Sequence, residues 1–217
     1  KPEVRKIAAE QQFPTANRKD SQGICFVGKV DLPTFLQQQL ENRTGNIIEI
    51  SAAFMGKKKQ LERTPENLHK LCSPYPFKPW NGKVIGEHRG AHYYTIGQRK
   101  GLNLGGHAEP LFVLGTDVKR NIIYVGEGAA HPGLYRPGLF IPAKDIHWIR
   151  TDMTMRDGEK RRYAVRIRYR QPLETATLIQ HREGLYLLFD EEQRGITSGQ
   201  FAAWYAGEEL IGSGVIA

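Results

Sequence analysis

The residues best suited to chemistry are Cys25 and its neighbours, in the run Lys19-Asp20-Ser21-Gln22-Gly23-Ile24-Cys25-Phe26-Val27-Gly28. The thiol sits between two apolar residues on a short extended stretch. Gly23 and Gly28 let the backbone turn sharply or approach another chain closely. Only a thiolate acts as a nucleophile or sulfur carrier, and Lys19 and Lys29 are placed to lower the thiol pKa. The plain alternative is packing, because a lone cysteine in an apolar run behaves as a small hydrophobe.

A second chemical feature is Arg162-Tyr163-Ala164-Val165-Arg166-Ile167-Arg168-Tyr169-Arg170. On a strand spanning Tyr163 to Tyr169, residues Tyr163, Val165, Ile167 and Tyr169 share one face. Arg162, Arg166, Arg168 and Arg170 share the other, repeating every ~6.7 Å. Such a stripe is either a solvated outer face or a row of phosphate contacts. A third feature is the stretch from Gly82 to Gly106, with seven glycines. Its tight turns expose backbone N–H groups which, with Arg99 and Lys100, make a candidate anion cradle. A glycine-rich hairpin shaped for close packing is the equal alternative. The Gly-Lys-Ser/Thr spacing of a nucleotide-binding loop is missing there. His88 and His92 are four apart with no third ligand at suitable spacing, so no metal site is expected.

The elements that would position these groups read as mainly β. A short helix runs from Pro2 to Gln12, with Val4, Ile7 and Ala8 on one face. Gly23 to Gly28 reads as a strand, Asp31 to about Leu40 as a capped helix, and Asn46 to Ile50 as a strand. The stretch Ser51 to Lys83 carries Lys57-Lys58-Lys59, a short helix from Pro65 to Leu71, Cys72, and the Pro/aromatic run Ser73 to Trp80. It reads as a surface insertion clamped by its aromatics, or as a further RNA contact. From Leu111 onward come short strands: Leu111–Leu114, Ile122–Val125, Leu139–Trp148, Tyr163–Tyr169, Ala176–Ile179, Leu185–Phe189, Phe201–Tyr205 and Leu210–Ile216. Asp117 to Asn121 forms the first hairpin turn, and the series suggests a small antiparallel β-barrel.

Composition narrows the class. There are 31 Lys plus Arg against 23 Asp plus Glu, a net charge of +8, which favours a polyanionic partner. No run of about 18 apolar residues is present, so no membrane span is expected. Two cysteines in 217 residues do not make a disulfide framework, which fits a cytoplasmic protein; a Cys25–Cys72 bridge is not expected.

Four segments together resemble the tRNA-specific 2-thiouridylases, which place sulfur on C2 of the wobble uridine of certain tRNAs. They are Lys1-Pro2-Glu3-Val4-Arg5; the Cys25 run; Gly86-Glu87-His88-Arg89-Gly90 continuing through Tyr94 to Leu102 and Gly105-Gly106; and Arg168-Tyr169-Arg170-Gln171 with Ser198-Gly199-Gln200. The resemblance skips Ser51 to Lys83, a connection expected to be short in the family. It implies three parts. Residues 1–18 are helix and linker belonging to an N-terminal ATP-pyrophosphatase domain. Residues 19–107 form a central domain carrying Cys25, with an insertion at about 51–83. Residues 108–217 form a tRNA-binding C-terminal β-barrel.

The resemblance also implies a mechanism. The family adenylates the uracil oxygen with ATP and magnesium, then delivers sulfur from a persulfide on the cysteine matching Cys25, and a second cysteine of the N-terminal domain completes the transfer. Arg168, Tyr169 and Gln200 match positions that touch tRNA, and Arg166 and Arg170 extend that surface. Neither the Ser-Gly-Gly-Val-Asp-Ser type of nucleotide loop nor the second cysteine occurs in these 217 residues. No cofactor is therefore expected on this chain, nor adenylation by it alone. The expected partners are tRNA and a sulfur donor, either a persulfide relay protein or a cysteine desulfurase, and a monomer is expected. Two other readings compete: a basic β-barrel that binds RNA without chemistry, and a thiol hydrolase pairing Cys25 with His88 or His92.

Overall fold

The computed structural model describes residues 2–14, 16–17, 42–56, 61–169 and 171–217. Lys19, Cys25, Lys29, the expected strand at 23–28, the expected helix from Asp31, Lys57 to Lys59 and Arg170 lie outside the described residues. The chain divides into two units, Lys1–Glu41 and Asn42–Ala217. In the first, helix α1 spans Pro2–Glu10. Proline suits its first turn, where an N–H would lack an intrahelical partner.

The second unit is built on two sheets. The first has four strands, β1 (Gly45–Glu49), β2 (Lys83–His88), β3 (Leu111–Asp117) and β4 (Ile122–Glu127), in the order β2-β1-β4-β3. β1 runs parallel to β4, with Asn46 opposite Ile122, and antiparallel to β2. A central strand covered on both faces reads as a continuous apolar run, and Ile47 and Ile48 are both buried. One face packs Ile47, Val113, Ile123 and Val125 against Ala91 and Leu102. The other packs Ile48, Leu114 and Tyr124 against Met55 and Phe77.

The β3–β4 turn closes at Asn121, whose φ of 55° is left-handed and suits asparagine. Its buried side chain accepts from the Ala91 N–H at 2.9 Å and donates to the Arg43 carbonyl at 2.7 Å. Three segments distant in sequence are thereby tied together.

The second sheet has seven antiparallel strands: β5 (Tyr135–Pro142), β6 (Ile146–Trp148), β7 (Lys160–Arg166), β8 (Glu174–His181), β9 (Gly184–Arg194), β10 (Phe201–Ala206) and β11 (Glu209–Val215). Their order is β5-β9-β8-β7-β10-β11-β6. The sheet curls around Trp204, Phe189, Leu178 and Ile141, all buried. Past β11, the Ala217 N–H donates to the Phe140 carbonyl of β5 at 3.0 Å, so the curl brings its ends together. Gly212 lets the indole in, since a Cβ there would come within 2.5 Å of Trp204.

Three sequence expectations need correction. Leu139 to Trp148 is not one strand. A 3-10 turn at Ala143–Asp145 follows Pro142, and β5 and β6 end on opposite edges of the sheet. The expected strand from Tyr163 to Tyr169 stops at Arg166; the Gln171 N–H turns back to the Arg168 carbonyl at 3.1 Å. The described residues between 51 and 83 do not lie only on the surface. Helix α2 (Ala52–Gly56) contributes Met55, and helix α3 (Leu68–Cys72) packs against β5 and β9. The rings of Phe54, Tyr75, Phe77 and Tyr124 form a continuous chain, with centroids 6.0, 4.7 and 5.3 Å apart, so the aromatic clamp is part of the core.

Candidate nucleic-acid interface

The arginine stripe of β7 separates into two kinds of residue once its neighbours are in place. Arg162 pairs with Asp190 of β9 at 2.6 Å. The adjacent Arg161 pairs with Glu159 at 2.6 Å. These charges are neutralised locally by acids from outside the arginine run. Arg166 and Arg168 have no carboxylate partner among the described residues, and the Arg166 Nε is buried without a hydrogen bond.

Arg168 lies just beyond the strand. Its guanidinium donates to the Gly195 carbonyl and to Gln200 Oε1, the latter at 3.5 Å. Gly195, at φ +66°, takes a left-handed turn that favours glycine. Gln200 is held from behind, because its carbonyl accepts from the Ile216 N–H at 2.8 Å. Gln171 donates to Gln193 at 2.6 Å, fixing the other side of the turn. Two residues separated in sequence, Arg168 and Gln200, thus meet at one corner of the sheet.

Tyr169 was expected on the apolar face with Tyr163, Val165 and Ile167. Those three are buried, but Tyr169 is 88% exposed because it belongs to the turn and not the strand. Phe201, next to Gln200, is 62% exposed. Sequence reasoning did not single it out; its apolar character only becomes informative once it is seen at the surface. A cationic corner with two open aromatic rings can contact phosphates and stack on unpaired bases.

The other candidate residues are placed differently. Arg99 and Lys100 are exposed on a turn between Gly97 (φ +81°) and Gly101 (φ +85°). The Gly97 N–H is spent on the Val113 carbonyl at 2.7 Å and the Gln98 N–H on Thr95 at 3.0 Å. Those two N–H groups are taken, and the Arg99 and Lys100 side chains stand exposed beside them. His88 is buried and its Nδ1 accepts from the Gly90 N–H at 2.9 Å; burial holds its pKa below the ordinary histidine range. It serves the turn after β2. Cys72 is a free, buried thiol, pushed up to about 12 by burial, and so not a nucleophile near neutral pH.

Three family profiles match the chain in order. They are a tRNA methyl transferase HUP domain at residues 1–29, a tRNA methyl transferase PRC-barrel domain at 72–127, and an aminomethyltransferase beta-barrel domain at 140–216. Curated relatives named tRNA-specific 2-thiouridylase MnmA align along the whole chain. Identity is 52% for the protein of Christiangramia forsetii, 51% for that of Flavobacterium johnsoniae and 37% for that of Bacillus subtilis. The chain belongs to the tRNA-specific 2-thiouridylase family. It spans about half the length of these relatives, 55%, 55% and 49% respectively.

The described residues between 51 and 83 are tied into the core: removing them would strip Phe77 and Met55 from one face of the first sheet and α3 from the second.

Proposed function

We propose that this chain is the sulfur-carrying and tRNA-binding part of an enzyme that 2-thiolates the wobble uridine of tRNA. The supporting observation is the corner formed by Arg168, Gln200 and exposed Tyr169. Its cation has no acidic partner among the described residues, and the chain belongs to the tRNA-specific 2-thiouridylase family. Arg168 and Arg166 engage backbone phosphates, Gln200 holds Arg168 in register, and Tyr169 supplies a ring for an unpaired base. Arg170 is proposed as a further phosphate contact, with Arg99 and Lys100 as an outlying one.

Cys25 is the proposed persulfide carrier, receiving sulfur from a persulfide relay protein or cysteine desulfurase. ATP and magnesium belong to the proposed whole reaction, where they activate the uracil oxygen. No step through ATP is assigned to the described residues. Among the described residues, no helix is long and apolar enough to cross a membrane. A cytoplasmic, monomeric protein remains the proposal.

Two measurements test this reading. The chain is incubated with a cysteine desulfurase and labelled cysteine, then checked for label that is lost on reduction and in Cys25→Ser. Retention of tRNA is measured in parallel. Label on Cys25 together with tRNA binding is the expected result. Binding without label would favour a barrel that holds RNA and carries no sulfur; label without binding would remove the RNA-contact role.

A further inference from the structure

We propose that Glu49, His107 and Glu127 form a binding site for a divalent transition-metal cation. The three come from the end of β1, the loop before β3, and the end of β4, and one ligand atom of each lies within 4.8 Å of the other two. His107 Nδ1 is 3.9 Å from Glu49 Oε1 and 3.9 Å from Glu127 Oε2. Both distances exceed hydrogen-bond range. They are close to the separation of about 3.4 Å between two ligand atoms that a tetrahedral ion holds at roughly 2.0–2.1 Å.

Charge supports the same assignment. Two carboxylates converge in a chain with a surplus of lysine and arginine, yet among the described residues no Lys or Arg pairs with either; only His107 faces both. Carboxylates held this close repel each other, and a cation between them offsets that repulsion. Glu127 is already oriented for the purpose. Its Oε1 accepts from the Glu109 N–H at 2.8 Å, which leaves Oε2 turned toward His107, as the outer contacts of ligating carboxylates do.

His131, nearby, is not a fourth ligand. Its Nε2 faces the Ile50 carbonyl at 3.0 Å, and its Nδ1 accepts from the Gly133 N–H at 3.1 Å. The His107, Glu49 and Glu127 side chains are 21, 27 and 34% exposed, so an ion can enter from solvent and keep positions open for water. One imidazole and two carboxylates suit zinc, manganese or cobalt, whereas calcium and magnesium favour oxygen ligands throughout. The linear sequence hides the set because each ligand lies in a different segment. The site does not depend on the RNA reading.

The test is isothermal titration of the 217-residue chain with Zn²⁺, followed by Co²⁺ with the visible absorption of the ion as a second readout. The expected result is one saturable site, at least ten-fold weaker in both His107→Ala and Glu127→Gln and unchanged in His147→Ala, a substitution of an exposed histidine on β6. Far-UV circular dichroism of the metal-free variants should match the parent, since all three ligands are partly exposed. The proposal is overturned if no saturable binding occurs, if both ligand variants bind as the parent does, or if His147→Ala loses as much affinity as they do.

Discussion

Arg162 and Arg168 offer a controlled comparison within one stretch of chain. They are the same residue type on the same face of the sequence pattern, but Arg162 is paired with Asp190 at 2.6 Å, whereas among the described residues Arg168 has only neutral partners. If Arg168 contacts a phosphate, Arg168→Ala removes one charge pair from the RNA complex. Each such contact contributes about 0.7 to 0.9 to the slope of log affinity against log salt. Between 50 and 200 mM salt the parent should therefore lose about three-fold more affinity than Arg168→Ala does. The fold should tolerate the change: Thr197 Oγ1 also donates to the Gly195 carbonyl at 2.9 Å, and the Arg168 side chain is on the surface. Losing its two hydrogen bonds, one part-buried and one exposed, costs about 1–3 kcal/mol. The assay is filter retention of labelled tRNA across a salt series for the parent, Arg168→Ala and Arg162→Ala, with thermal unfolding alongside. The reasoning is refuted if Arg168→Ala keeps the parent slope, or if Arg162→Ala lowers the slope equally.

Other outcomes follow from the same geometry. Tyr169→Ala and Phe201→Ala should each weaken tRNA retention by about 1–3 kcal/mol if a base stacks on the ring, while their exposure leaves the melting temperature nearly unchanged; a large drop in melting temperature would mark a packing role instead. Asn121→Ala should destabilise the chain by about 2–4 kcal/mol, read from the urea midpoint, because it strands the Ala91 N–H and Arg43 carbonyl and puts a Cβ-bearing residue without a compensating side chain at φ 55°. Burial raises the Cys72 pKa from 9.0 to about 12, so folding favours the neutral thiol. The unfolded chain then releases its proton first. The stability contribution is intact below pH 9 and is lost as pH climbs through 9 toward 12. Urea midpoints measured across that window should fall more steeply for the parent than for Cys72→Ala, and parallel slopes would count against a buried thiol.

Much of both sheets was legible in the sequence because their core-facing residues alternate or form apolar runs. Tyr163 and Val165 announce the buried face of β7, which Ile167 continues just past its end, and hydrophobic runs mark β3, β4, β8, β9, β10 and β11. β2 was not legible: Lys83-Val84-Ile85-Gly86-Glu87-His88 lies among glycines, and it becomes a strand because β1 offers it an edge. The split of β5 from β6 was equally hidden, since which edge each half joins depends on partners far away in sequence. Lys57 to Lys59, Arg170 and Cys25 lie outside the described residues.

The sequence by itself determined the mainly β character, the hairpin turn at Asp117 to Asn121, and the family, because these rest on local residue types and on motifs in a fixed order. Only the tertiary structure decided which charges are spent and which are free. Arg162 and Arg168 look alike along the chain, and the difference between them is Asp190, a carboxylate delivered by another strand. Electrostatic interaction depends on distance in space, and the meeting of Arg168 with Gln200, or of Glu49 with His107 and Glu127, exists only after the sheets have closed.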